Sequence, residues 1–144
     1  MPTGEGYPRL IKIALPIAAL TTALTLGEVR AECWVASNIR GQSAEAPRGY
    51  AFAEDTFSDG MRVCFYGGTG FVSNNDLDLV QFGQSTLIGV SVTQAGLETV
   101  NAYQLDRTNR KLLIIQSRIG TATIVPLLPD YAAVFVGDVV PARD

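Results

Sequence analysis

The stretch Lys111-Leu-Leu-Ile-Ile-Gln-Ser-Arg-Ile119 carries five large aliphatic side chains in nine residues, three of them isoleucine. An apolar run of this length is short for a helix and right for a strand buried in a sheet, where β-branched side chains pack well. Just before it, Arg107-Thr-Asn-Arg110 is a polar link, and before that Leu97–Leu105 is a second strand-like run. Strand, short polar link and strand predict an antiparallel hairpin, the longest of the chain.

Toward the C-terminus, Thr121–Val125 predicts a further short strand, and Pro126 and Pro129 break the chain. Tyr131–Val136 is apolar enough to close the sheet as a strand; a single helical turn capped by Asp130 is the alternative. Toward the N-terminus, Leu87–Thr93 alternates, with Ile88, Val90 and Val92 on one side. Leu77–Phe82 predicts another strand, and Met61–Tyr66 alternates with Met61, Val63 and Phe65 on one face. Tyr50–Phe52 reads as a short strand, Asp55–Gly60 as a turn, Gly67–Gly70 as a tight hairpin connection and Ser73–Asp76 as a polar loop. Trp34–Arg48 has weak periodicity, and within it Gly41–Pro47 reads as a loop. Short strands at roughly ten-residue spacing predict an all-β fold, a small antiparallel sandwich or barrel of six to eight strands.

Ahead of this domain, Arg9 and Lys12 precede an uncharged apolar core, Ile13–Leu26, and then the small-residue site Val29-Arg-Ala31. That order is the layout of a secretory signal peptide cleaved between Ala31 and Glu32. The core is shorter than the about 20 residues of a spanning helix, and Pro16 weakens it further. Glu32 directly before Cys33 argues against a lipidated cysteine. The predicted organisation is therefore residues 1–31 as signal peptide, 32–48 as an N-terminal segment and 49–144 as the antiparallel β domain. The expected location is periplasmic or secreted, with no membrane span after cleavage.

Two cysteines, Cys33 and Cys64, permit one intramolecular pairing, and export makes a disulfide the default. Closing a loop of about thirty residues is worth roughly 3–4 kcal/mol in the chain-entropy model. Such a bridge would tether the 32–48 segment to the first clear strand. Trp34, next to Cys33, is expected either to pack on the disulfide over an open end of the sheet or to serve as a surface aromatic.

Several chemistries are excluded by what the sequence lacks. The chain holds no histidine, so no Ser-His-Asp or Cys-His nucleophile system can be built, and common zinc sites lose their nitrogen ligand. Gly67-Gly-Thr-Gly70 lacks the Lys-Ser/Thr of a phosphate loop. Asn74, Asp76 and Asp78 alternate as calcium ligands do, but Leu79 and Ser85 stand where an EF-hand needs glycine and glutamate. No cofactor is expected. A net charge of −3 with no Lys/Arg run leaves no footprint for nucleic acid. Acids such as Glu54, Asp55, Asp59 and Glu98 are available for a carboxylate hydrolase, but no pair is singled out.

The remaining candidates are charges. Arg107, Arg110 and Lys111 cluster at the tip of the main hairpin and, with Trp34, form a possible interaction surface. Arg118 lies inside the apolar strand, which predicts either a solvent-facing side chain or a buried pair with Asp130 or Asp138. In size, export signal and single disulfide the chain resembles small periplasmic β-barrel proteins, inhibitors of lysozyme among them, in type and without a shared motif. The expected function is a non-enzymatic envelope domain that binds a protein or a small apolar ligand in a barrel mouth. A small carboxylate-dependent hydrolase and a structural envelope component are the alternatives.

Overall fold

The computed structural model describes residues 31–120 and 129–143. Among the described residues nine strands run in chain order: β1 Glu32–Glu45, β2 Phe52–Thr56, β3 Met61–Phe65, β4 Thr69–Val72, β5 Leu79–Phe82, β6 Thr86–Val92, β7 Glu98–Asp106, β8 Lys111–Ile119 and β9 Tyr131–Pro141. Each pairs antiparallel with its neighbour from β3 to β9, and β9 pairs back onto β1. The second half of β1 pairs with β2 and its first half with β3, so these two short strands lie end to end along one edge of β1. The result is a closed antiparallel barrel of eight staves, the size at which side chains can fill the interior.

The hairpin around the link 107–110 is present as read, with Leu105 opposite Leu112 and Ala102 opposite Ile115. Tyr131 opens a strand rather than a helical turn. Trp34–Arg48 departs from expectation. Residues 32–45 form the longest strand, β1, and only Ala46–Arg48 turn as a short 3-10 segment. A bulge between Ser37 and Arg40, with Asn38 at φ 51°, shifts the alternation so that Ala36 and Ile39 both point inward. Tyr50 and Ala51 precede β2 rather than belonging to it, and the turn into β3 begins at Phe57. Half of Gly67–Gly70 is strand, because β4 starts at Thr69. The expected signal peptide and the strand at Thr121–Val125 fall outside the described residues, save for Ala31.

Inward-facing side chains fill the barrel. Val63, Leu87, Tyr103, Leu112, Ile114 and Phe135 are buried, and Phe57 meets the Phe135 ring edge-on at 4.7 Å. Each such side chain contributes about 1.5–3 kcal/mol by leaving water. Cys33 and Cys64 are direct cross-strand partners on β1 and β3, and they are joined as a disulfide on the outer side of the sheet.

The outer face is apolar over much of its circumference. Val80 of β5 sits opposite Ile88, Ile88 opposite Ala102, Ala102 opposite Ile115, and Ile115 opposite Val134. These positions form one cross-strand row over five strands. The outer positions of β1 to β3 are mixed, with Arg40, Gln42, Glu54 and Arg62 beside exposed Val35 and Phe52.

Candidate functional site

The two ends of the barrel are built differently. At one end Trp34 is buried, and its indole N–H donates to Glu32 Oε1 at 2.8 Å. Arg107 grips the same carboxylate with Nε at 2.8 Å and Nη2 at 2.6 Å, and also donates to Ser85 Oγ and the Gln84 carbonyl. Its guanidinium lies 5.6 Å above the Phe65 ring. Hydrogen bonding from Arg107 holds the Glu32 carboxyl below its usual range. Indole, ion pair and ring together plug this end.

At the opposite end the inward positions turn polar. Along β8 the inward series runs Leu112, Ile114, Gln116, Arg118, the first two buried and the last two half-exposed. Cross-strand partners extend each polar position. Arg118 sits between Thr99 of β7 and Tyr131 of β9, and Gln116 sits opposite Asn101. Ser91 of β6 is paired with Thr99, and Glu45 of β1 with Tyr131. One ring of the barrel therefore reads Ser91, Thr99, Arg118, Tyr131, Glu45.

Hydrogen bonds organise this ring. The Tyr131 hydroxyl donates to Gln116 Oε1 at 3.4 Å, and Asn75 Nδ2 donates to the Tyr103 hydroxyl at 2.9 Å. Burial pushes the Tyr131 phenol up to about 12, assisted by the charges of Asp55 and Glu45 and opposed by Arg118. Burial also raises Tyr103, against hydrogen bonding from Gln116 and Asn75. Both phenols therefore stay neutral at physiological pH.

Arg118 does not take either partner expected for it. Its Nε and Nη2 donate to the Pro129 carbonyl at 3.2 and 3.1 Å, and its guanidinium carbon lies 5.5 Å from the Tyr131 ring centroid. Asp130 is engaged by the Gly120 amide and the Tyr50 hydroxyl, and Asp138 by Lys111 and Asn38. Among the described residues no carboxylate lies within 4.0 Å of Arg118.

Of the residues expected as an interaction surface, Trp34 and Arg107 meet at the Glu32 carboxylate, but the four do not form one exposed surface. Trp34 is inside the barrel, because its β1 position alternates with the outward Cys33. Arg107 folds back into the plug. Lys111 pairs with Asp138 beside a shallow groove of about 280 Å³ that Asn38 and Arg40 also line. Arg110, at φ 53°, is the one of the four left exposed without a partner among the described residues. Gly67 and Gly68 make the β3–β4 turn at positive φ, and Gln81 Oε1 accepts both their amides. The polar ring was not legible beyond Arg118. Thr99, Asn101 and Gln116 are ordinary strand residues until the register sets them side by side.

Compared with protein-family models, curated proteins and solved structures, the chain matches none.

Proposed function

We propose that this protein is an exported, non-enzymatic binding domain whose recognition site is the polar end of the barrel. One observation carries the reading: a half-exposed, inward-facing arginine without a carboxylate partner among the described residues, ringed by neutral donors and acceptors, in a barrel otherwise filled with apolar side chains. Barrel mouths are common ligand sites, and a few convergent polar groups set specificity there. The Pro129 carbonyl and the Tyr131 ring pre-orient the guanidinium, which lowers the entropy cost of fixing it around a ligand.

The group favoured at such a site bears a single carboxylate, as a small polar molecule or the end of a peptide does. Glu45 and Asp55, whose charges both act on Tyr131, would repel a polyanion. The filled interior favours a ligand that caps the mouth over an apolar one that enters it. Export is part of the reading because of the Arg9/Lys12 start, the apolar core after it and a disulfide that persists in oxidising compartments.

The test is amide shift perturbation by N-acetyl amino acids with a free carboxylate, against the corresponding carboxamides. The reading expects shifts centred on Thr99, Asn101, Gln116 and Tyr131 for the acids alone, lost in Arg118→Met. Shifts that ignore this ring, or that survive in Arg118→Met, would sink it.

A further inference from the structure

The outer face of β6–β9 has no role in the mouth, yet it departs further from an ordinary soluble surface than anything else described. Outward positions on β6 to β9 carry Val90, Val100, Leu113, Ile115, Val134 and Val136, each 39–61 % exposed. Of the ionisable outward residues on these strands, Glu98, Asp106 and Lys111 are strand-terminal, and Asp138 lies opposite Lys111. Contiguous apolar patches beyond a few hundred Å² are uncommon on soluble monomers and mark contact surfaces.

A lipid surface fits poorly. A transmembrane barrel is apolar outside and polar within, and its outer band runs all the way round. Here the interior is apolar at all but the polar end, and on β1 to β3 Arg40, Gln42, Glu54 and Arg62 interrupt the outer face between Val35 and Phe52.

We propose that this face is the interface between two copies of the chain, packed sheet against sheet about a two-fold axis near the centre of β8. Three features favour a second copy. The six side chains expose roughly 500 Å², and the small residues between them bring the face close to the ~800 Å² that one partner gives to a standard interface. Small and large residues also alternate across the rows, Val100–Ser117–Ala132 beside Ala102–Ile115–Val134. Knobs of one copy therefore find hollows in the same face of the other. Finally, the charged rim holds both signs, with Lys111 between Asp106 and Asp138, so it does not select a partner of one charge. Isologous two-fold dimers are the commonest closed assembly.

The test is sedimentation velocity and equilibrium on protein expressed from the full chain, beside Ile115→Lys and Val134→Lys. Both positions point to solvent in a monomer, so neither change touches the core. Phe71→Lys, at an exposed outward position of β4 four staves round the barrel from β8, places the same charge on the opposite outer face as a control. The expected result is a dimer for the parent and for Phe71→Lys, and association weakened at least 100-fold toward monomer in the two face variants, with the far-ultraviolet circular dichroism of the parent. A monomeric parent overturns the proposal. So does a dimer that Ile115→Lys and Val134→Lys leave intact, or a parent that is monomeric in water and associates with neutral phosphatidylcholine vesicles. If a face variant loses the parent spectrum, an excess of the isolated parent under chemical cross-linking decides instead: cross-links between two copies of Lys111 support the interface, and none overturn it.

Discussion

Arg107 reaches across 75 residues of sequence to Glu32, placing Nε and Nη2 at 2.8 and 2.6 Å from its two carboxylate oxygens. The pair ties the β7–β8 link to the first residue of β1, over the ring of Phe65. Bidentate geometry makes it stronger than a casual surface pair, while its partial exposure limits what it contributes. Arg107→Met should therefore cost about 1 kcal/mol in urea unfolding, where an exposed lone pair would cost a few tenths. Arg110→Met, at the same tip without a partner, should cost nothing measurable.

Acid should remove the same contribution. Glu32 is held below its usual value of 4.5, first by its hydrogen bond from Arg107, and Asp138 below 3.8, first by Lys111. A carboxyl whose folded pKa is depressed stabilises the fold above its unfolded pKa and loses that contribution as pH falls through the folded one. The stability gap between the parent and Glu32→Gln should be full at about pH 6 and should narrow as the pH drops below about 4.5. Urea midpoints across that range check it; a gap constant down to about pH 3 would count against the assignment.

The Cys33–Cys64 bridge closes a loop between residues 31 apart in sequence, at positions already paired in the sheet. Reduction leaves the strands paired but frees the unfolded chain. Cys33→Ser/Cys64→Ser should lose roughly 3–4 kcal/mol by the loop-entropy relation, as a lower urea midpoint with the native circular dichroism retained. Intact mass with and without reductant, under alkylation, checks that the parent carries no free thiol.

The hairpin β7–β8 was legible because its apolar residues recur in long β-branched runs. β1 was not, and the reason is packing. At Gly41 the backbone of β9 passes so close that an added Cβ would clash with the Val134 carbonyl oxygen and come within 2.7 Å of Phe135 Cα. Small residues at Ala36, Gly41 and Ser43 admit that approach, and in sequence they look like a loop. The bulge at Asn38 breaks the alternation as well. In β6 the alternation was plain but its sense was not: Ile88, Val90 and Val92 face outward, while Leu87 and Gly89 face the core. The site was legible only as an arginine out of place, since its neighbours come from register. Gly41→Ala should cost about 3 kcal/mol, at the upper end for overpacking, because a backbone must move. Gly49→Ala, with open space but φ 62°, should cost about 1 kcal/mol through backbone strain alone. Thermal and urea unfolding of the two variants separate these causes.

Tyr131 reports on the polar end without any ligand. Its phenol is pushed up to about 12, chiefly by burial and then by Asp55, while Arg118 acts in the opposite sense. A folded pKa above the unfolded one favours the neutral phenol. That contribution is complete below about pH 10 and is lost as pH rises toward 12. Tyr131→Phe cannot ionise, so relative to the parent it should gain stability between those values, read as urea midpoints. Arg118→Met removes the positive charge that lowers the phenol pKa and should drive the Tyr131 titration still higher, followed by phenolate absorbance against the Tyr131→Phe background. If Arg118→Met left that titration unmoved, the guanidinium would not be poised over the ring at the mouth, and the ligand site built on it would lose its principal group.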